Sequence, residues 1–157
     1  MQEAVCNFCA GTAAELSWMQ KITYSAELMK LRALFERRTT ANLKDCFYDA
    51  NKMLVFVVMG GDMARAIGKG GANAKMMENL LKRKIKIVEY APTQEAFLEN
   101  LIMPFKAQKI ESDGANMIIT PPDSQTRGMI IGRGATNLRN YEHIMKRYFN
   151  ISEIRVK

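Results

Sequence analysis

Two short glycine-rich segments are the residues of this sequence best suited to bind a ligand. The first reads Gly68-Lys69-Gly70-Gly71 and the second reads Gly132-Arg133-Gly134-Ala135. Glycine has no Cβ, so its backbone can approach a ligand closely and adopt positive φ at little cost. A helical pattern follows each segment, and the first N–H groups of a helix are unpaired and lie at the positive end of its dipole. With a lysine or an arginine in each turn, the pattern predicts two phosphate-binding sites.

Two other phosphate-binding loops do not fit these segments. A Walker A loop has Gly-Lys followed by Ser or Thr, whereas Lys69 is followed by Gly70. A dinucleotide-binding fingerprint needs a small residue where Asn73 and Asn137 stand, and a strand directly before the loop, where we predict a short helix. The remaining alternative is a tight helix–helix connection without a ligand, which the second occurrence with its own cation disfavours.

The two glycine turns belong to a longer repeat, in which Gly132 stands 64 residues after Gly68. Ile67 precedes the first turn as Ile131 precedes the second. The match continues at the same offset through the pairs Asn73 and Asn137, Lys75 and Arg139, Glu78 and Glu142, and Lys82-Arg83 and Lys146-Arg147. Identities and like charges over this length indicate a duplicated structural unit.

Hydrophobic spacing predicts the same order of elements in both halves: helix, strand, strand, helix, glycine turn, helix, strand. In the first half we expect a helix followed by strands 43–48 and 53–59, and the apolar face of this helix is formed by Tyr24, Leu28, Leu31 and Phe35. A short helix capped by Asp62 precedes the glycine turn. A longer helix with an apolar stripe of Met76, Met77, Leu80 and Leu81 follows the turn, and a strand 85–90 ends the unit. In the second half we expect a helix that is capped by Thr93 and whose buried face reaches Phe105, followed by strands 107–111 and 116–120 around Asp113-Gly114. A short helix that begins at Asp123 precedes the second turn. A longer helix with an apolar face of Leu138, Tyr141, Met145 and Tyr148 follows the turn, and a strand at Ile154 and Val156 ends the unit.

This order predicts an α+β protein with two similar units, each a three-stranded sheet packed on helices. We place the first unit at residues 25–91 and the second at 92–157, after an N-terminal extension 1–24. A unit of about 65 residues is barely large enough for an independent core. We therefore expect the two units to pack on each other in a fixed orientation.

The charge of the chain is concentrated near the glycine turns. The whole chain carries +7 with a sequence pI of about 9.4, and residues 63–90 and 124–157 each carry +5. A basic protein of this size binds nucleic acid, another anionic surface or an acidic partner. Two solvated helix faces would give the same charge pattern, so charge alone leaves these alternatives open.

At the glycine turns the sequence resembles the KH family, whose GXXG loop clamps about four nucleotides of single-stranded nucleic acid. Ile67-Gly68-Lys69-Gly70-Gly71 matches the motif fully, and the resemblance covers residues 25–157. In the second copy Ala135 replaces the last glycine. Because alanine limits positive φ and close approach, we expect the second turn to bind more weakly or in a different register. A helix and two strands before the turn, with one strand at the end, are typical of the type II arrangement.

Among type II KH proteins the chain resembles the archaeal NusA-like transcription factors. The resemblance rests on the strand Met-Leu-Val-Phe-Val-Val at 53–58 and on Gly-Asp-Met at 61–63 before the first turn. It implies binding of nascent or ribosomal single-stranded RNA during transcription elongation, pausing or termination. RNA polymerase is the second partner that it suggests. Bacterial relatives carry a polymerase-binding domain and an OB-fold domain that have no counterpart in this sequence, so contact with polymerase stays open.

The resemblance also implies which residues contact RNA. The phosphates would lie over both turns and be held by cationic side chains: Lys69 and Arg133, helped by Arg65, Lys75 and Arg139. The bases would enter an apolar groove that is floored by Ile67 in the first copy and by Ile131 in the second. No aromatic stacking platform is evident, so the groove would recognise shape and base edges.

Other functions remain as alternatives at this point. A ribosomal or ribosome-assembly KH protein would share all these features, and a protein–protein adaptor with degenerate KH units is suggested only by Ala135. No nucleophile–base pair, metal set or nucleotide loop supports an enzyme, and we expect no cofactor. His143, the only histidine, stands on a predicted helix without catalytic partners.

The cysteines and the apolar segments bear on the cellular setting. Cys6, Cys9 and Cys46 are too few for a disulfide framework, which favours a reducing, cytoplasmic setting. No apolar run approaches the ~20 residues that cross a bilayer, and the polar N-terminus does not resemble a secretory signal. Cys6 and Cys9 have zinc-knuckle spacing, but a tetrahedral site needs four ligands. Structurally neutral cysteines, partial or intermolecular metal binding, and redox chemistry therefore stay open. We expect a monomer without a membrane partner.

Overall fold

The computed structural model describes residues 24–157, and its elements follow the predicted order. The first unit consists of α1 (Ala26–Thr39), β1 (Leu43–Tyr48), β2 (Leu54–Val58), α2 (Met63–Ile67), α3 (Ala72–Leu81) and β3 (Ile85–Glu89). The second unit consists of α4 (Gln94–Ile102), β4 (Lys109–Asp113), β5 (Asn116–Thr120), α5 (Ser124–Ile131), α6 (Thr136–Lys146) and β6 (Glu153–Val156). The prediction of an α+β fold with two three-stranded sheets packed on helices is therefore confirmed.

Both sheets have the same topology. The middle strand pairs antiparallel with the strand before it and parallel with the last strand of the unit, in the orders β1-β2-β3 and β4-β5-β6. Two neighbouring parallel strands need a long crossover connection between them. In each unit this crossover consists of the short helix, the glycine turn and the longer helix, so the turn lies beside the edge strand of the sheet.

Strand β2 is buried on both faces, which explains its uninterrupted run of five apolar residues. Leu54, Phe56 and Val58 face the helices of their own unit, where they pack with residues such as Phe35 and Met77. Val55 and Val57 belong to a second core on the opposite face.

The second core joins the two units. It combines Val55 and Val57 of the first sheet with apolar residues of the second unit, including Phe97 of α4, Ile144 of α6 and Met117 of β5. Because one continuous core contains both, the expected packing of the units on each other is observed.

A buried carboxylate adds a polar link between the units. Asp45 of β1 accepts hydrogen bonds from Tyr24 Oη at 2.5 Å, from Tyr148 Oη at 2.6 Å and from Arg147 Nε at 2.6 Å. Burial alone raises the pKa of a carboxyl, but the hydrogen bond and charge of Arg147 outweigh it and leave the pKa of Asp45 below its ordinary value. The guanidinium also lies over the Phe47 ring, 4.4 Å from its centroid.

The starts of two helices differ in detail from prediction, and the start of a third agrees with it. Ser25 caps α1 by accepting a hydrogen bond from Leu28 N at 3.3 Å, so Tyr24 lies before the helix and not on its apolar face. Thr93 occupies the N-cap position of α4 but makes no capping hydrogen bond through its side chain. Asp123 caps α5 as predicted, with its carboxylate 2.6 Å from Thr126 N.

Other predicted details were wrong because partners distant in sequence decide them. Asp62 does not cap α2; its carboxylate accepts from the backbone N and the side chain of Asn42, at 2.8 and 2.9 Å, and from Arg65. Leu80, placed in the apolar stripe of α3, is 48% exposed. The helix buries Met77 and turns Leu80 away from the core. Phe105 lies beyond the end of α4 and packs against the shared core from the loop.

Candidate nucleic-acid interface

The two glycine turns have nearly the same backbone conformation. Gly68 has φ 76° and ψ 169°, and Gly132 has φ 73° and ψ 172°. Gly70 and Gly134 follow with φ 62° and 61°. Each turn then leads directly into α3 or α6, helices of ten and eleven residues, so the positive end of a helix dipole lies at the turn. The first N–H group of each helix, that of Ala72 or Thr136, donates to the carbonyl oxygen of Lys69 or Arg133 within the turn.

Gly68 and Gly132 are glycines because no other residue fits their conformation. Their φ and ψ lie in a region that is essentially restricted to glycine. A Cβ on Gly68 would lie 2.8 Å from Cγ of Asn73, and one on Gly132 would lie 2.7 Å from Cγ of Asn137. The geometry of each turn is therefore fixed at its first residue.

The two asparagines fasten the turns to the preceding helices. Asn73 Nδ2 donates to the carbonyl oxygen of Arg65 at 2.7 Å, and Asn137 Nδ2 donates to that of Met129 at 3.0 Å. In the sequence alone this pair indicates only the repeat. Its recurrence five residues after the first glycine was the signal that could have indicated a structural role.

Ala135 adopts the left-handed conformation that was expected to be difficult for it. Its φ and ψ are 60° and 25°, close to the 79° and 16° of Gly71. Alanine therefore keeps the backbone of the first turn, at a cost of about 1–2 kcal/mol for a non-glycine residue in this region. Whether the second turn binds more weakly stays a prediction.

The predicted cations surround the turns but differ in how free they are. Lys69, Lys75, Arg133 and Arg139 are all exposed. Arg65 is 54% exposed on its side chain and is held by Asp62 and by the carbonyl oxygen of Thr40, at 3.4 Å for the latter. Four of the five predicted cations are therefore available to a ligand, and Arg65 would have to share its guanidinium.

An open, mainly apolar cavity of about 290 Å³ lies beside the first turn, between α2, α3 and the edge strand β3. We call it the first groove. Its lining residues are Met63, Ile67, Gly71, Ala74, Lys75, Glu78, Ile85 and Ile87. Ile67 is half-buried in its lining, and none of these eight residues is aromatic. The groove begins at the glycine turn, so a ligand held at the turn could extend into it.

The edge strand offers unpaired main-chain groups to the first groove. Tyr90 N donates to Val58 O at 2.9 Å, and in a parallel ladder only alternate residues of β3 pair with β2. The main-chain groups of Ile85 and Ile87 therefore point away from β2. Within residues 24–157 their N–H groups have no hydrogen-bond partner.

The second turn stands in the same relation to its unit. Ile131 is half-buried directly before it, as Ile67 is before the first turn, and β6 forms the edge beyond α6. Thus the structure brings the predicted residues of each copy together around one turn.

The residues considered for other chemistry offer no second site in the part of the chain that the structure describes. His143 is exposed on α6, and no three His, Cys, Asp or Glu side chains in residues 24–157 are grouped as a metal site requires. Burial and the charge of Asp45 raise the pKa of the Cys46 thiol to about 12. Cys6 and Cys9 lie outside the described residues. No helix among those described has the length and apolar character of a membrane span.

Comparisons with known proteins agree with this architecture. The chain is 31% identical over 137 residues to a probable transcription termination protein NusA of Halobacterium salinarum, covering 86% of this chain and 98% of that protein. A protein of the same name from Methanocaldococcus jannaschii is 28% identical over 143 residues, covering 88% of this chain and 76% of the relative. The crystal structure of APE1850 matches the fold with a TM-score of 0.68 at 24% identity, over 85% of this chain and all of the other. No protein-family model matches the chain. At this identity and coverage, the chain belongs to the family of archaeal NusA-like KH proteins.

Proposed function

We propose that this protein binds single-stranded RNA through its two glycine turns and acts in transcription elongation or termination. The observation that carries the proposal is the repeated turn itself. Two copies with the same backbone each combine a helix N-terminus with an exposed cation, Lys69 in one and Arg133 in the other. A single tight turn needs no ligand, whereas two cationic copies fit a repeating polyanion.

The chemistry of the turn suits a phosphodiester backbone. A phosphate is stabilised by the positive end of a helix dipole and by nearby cationic side chains. Lys69 and Lys75 would neutralise the phosphates from either side. The strand would leave the turn along the first groove, where Ile67 and Ile87 offer apolar contact to base faces.

The test is a double substitution in the first turn, Lys69→Asp with Gly70→Asp. A Cβ on Gly70 meets nothing within 4 Å, and aspartate tolerates the positive φ of 62° better than most residues, so the fold should be kept. Losing one charged hydrogen bond and adding two negative charges should weaken RNA binding by about 100-fold. Fluorescence anisotropy with a labelled oligonucleotide measures the effect, and circular dichroism checks the fold.

The chain offers a matched control away from the turns. Lys106→Asp with Gly114→Asp changes the net charge equally, and Gly114 also has φ 62° with open space around its Cβ position. We expect at most a small, salt-dependent loss from this control. Equal losses from the two variants, or no loss from the first, would remove the turns from the binding mechanism.

The proposed role in transcription draws on the relatives, which are named as probable transcription termination proteins. Purification of the tagged full chain from its own cells, with and without ribonuclease, tests it. Recovery of RNA polymerase supports the transcription role. Co-sedimentation with ribosomal particles alone would instead favour a ribosome-assembly protein. Weak salt dependence of RNA binding would favour a protein–protein adaptor.

A further inference from the structure

The surface that corresponds to the first groove in the second unit is built differently. Because both turns have nearly the same backbone and each leads directly into the following helix, residues 64 apart in the turn and this helix occupy equivalent places. We call the surface between α5, α6 and β6 the second groove. At its centre Leu138 stands where the first groove has Ala74. Leu138 is half-buried against the shared core, so its side chain fills space that alanine leaves open.

The edge strand of the second groove is also occupied. Lys157 N donates to Ile119 O of β5 at 3.0 Å. Because alternate residues of a parallel strand pair with the neighbouring strand, the main-chain groups of Arg155 and Lys157 point toward β5 and the N–H of Ile154 points away from it. Glu142 Oε1 accepts a hydrogen bond from this N–H at 2.9 Å. Of the two outward N–H groups of β6, those of Ile154 and Val156, the first therefore already has a partner from its own unit.

The equivalent carboxylate of the first groove is placed differently. Glu78 lines the open cavity with 28% of its side chain exposed, and it pairs with Lys84 Nζ at 3.3 Å, whose side chain is 82% exposed. It makes no hydrogen bond to β3 in the described residues. Main-chain groups of Ile85 and Ile87, together with the Glu78 carboxylate, thus offer both donors and acceptors to a ligand.

We infer that the two units divide the recognition of one RNA strand: the first turn and groove take a nucleobase, whereas the second turn holds only the phosphate backbone. This inference rests on the proposed function. A base that entered the second groove would have to displace Leu138 and break the bond between Glu142 and Ile154, leaving a carboxylate without its partner. In the first groove a base edge gains hydrogen bonds without breaking any to the strand.

Photocrosslinking of the unmodified full chain gives the first test. An oligouridine that contains 4-thiouridine is bound and irradiated, and the crosslinked peptides are mapped. We expect crosslinks from the base to the strand with Ile85 and Ile87 and to Ala74, and none to Ile154 or Leu138. Equal crosslinking of the base to β3 and to β6 overturns the inference while leaving the proposed function intact. Failure of the protein to bind the oligonucleotide at low salt removes both.

An exchange of the groove residues gives the second test. Binding of oligouridine is compared with binding of an abasic oligonucleotide of the same length, and the ratio of the two affinities measures base recognition. We expect a ratio of about tenfold in the wild type, which corresponds to about 1.4 kcal/mol for the contacts to one base. Ala74→Leu should bring the ratio to about one and leave the abasic affinity unchanged, because the turn is untouched.

The matched variant opens the second groove, with Leu138→Ala and Glu142→Ala together. Here we expect the ratio to stay at the wild-type value or to rise. A ratio that survives Ala74→Leu, a ratio that falls on opening the second groove, or a wild-type ratio of one would each overturn the inference.

Discussion

Replacement of Asp45 is the sharpest test of how the two units are held together. Its side chain is 1% exposed and accepts hydrogen bonds from Tyr24, Tyr148 and Arg147, the last two contributed by the other unit. Asp45→Asn keeps the size of the side chain but removes its charge. The guanidinium of Arg147 then lies at the interface without its counter-ion.

The size of the effect follows from the burial of the two partners. Breaking a buried ion pair by removing one member costs about 3–5 kcal/mol. Because the Arg147 side chain is 24% exposed, water can solvate part of its charge. We therefore expect a loss of about 3 kcal/mol in the free energy of unfolding at neutral pH. For a chain of this size the melting temperature would fall by roughly 6–12 °C.

The effect should depend on pH in a defined direction. The pKa of Asp45 is lower in the folded protein than in the unfolded chain, where it is about 3.9. The stability that its charge contributes is complete above the unfolded value and is lost as pH falls through the folded value. Asparagine does not titrate, so the difference between wild type and variant should shrink as pH is lowered from 7 toward about 3.

Urea unfolding followed by circular dichroism measures both quantities. Glu111→Gln serves as a control, because the pair of Glu111 with Lys109 lies on the surface with both side chains exposed. Replacing Glu111 should leave the free energy of unfolding nearly unchanged, because water and salt screen an exposed ion pair. The reasoning is refuted if Asp45→Asn costs less than about 1 kcal/mol at neutral pH, or if its cost is the same at both ends of the pH range.

Three further predictions concern single sites. Gly68→Ala should destabilise the protein by about 2 kcal/mol or more in urea unfolding, because φ is unfavourable and the new Cβ meets Asn73; an unchanged midpoint would contradict this. Ala135→Gly should stabilise it by about 0.5–1 kcal/mol by relieving the left-handed strain, measured in the same way, and a loss of stability would argue against strain. Cys46, with a pKa of about 12, should be alkylated by iodoacetamide at least about 100-fold more slowly in the folded protein than in urea, as judged by peptide mass spectrometry. Fast labelling of Cys46 in the folded protein would show that it is not buried.

The order of elements and the two glycine turns could be predicted from the sequence because local chemistry decides them. Hydrophobic spacing distinguishes helix from strand, and glycines at 68 and 132 are required by a backbone conformation that other residues cannot adopt. The cations beside these glycines are then positioned by the helices before and after each turn. The repeat supports this order because the same pattern occurs twice in the sequence.

Contacts between residues distant in sequence could be decided only by the tertiary structure. Nothing near Asp45 or Asp62 in the chain indicates that the first binds Arg147 and two tyrosines, or that the second is taken by Asn42. The same holds for Glu142, which the repeat equates with Glu78 although only Glu142 reaches the backbone of an edge strand. A side chain with several possible partners is assigned to one of them only when the folded chain fixes the distances between them. The glycines and cations could therefore be found in the sequence alone, whereas only the packing of strands and helices shows that the Glu142 carboxylate is bound to an edge strand and that of Glu78 is not.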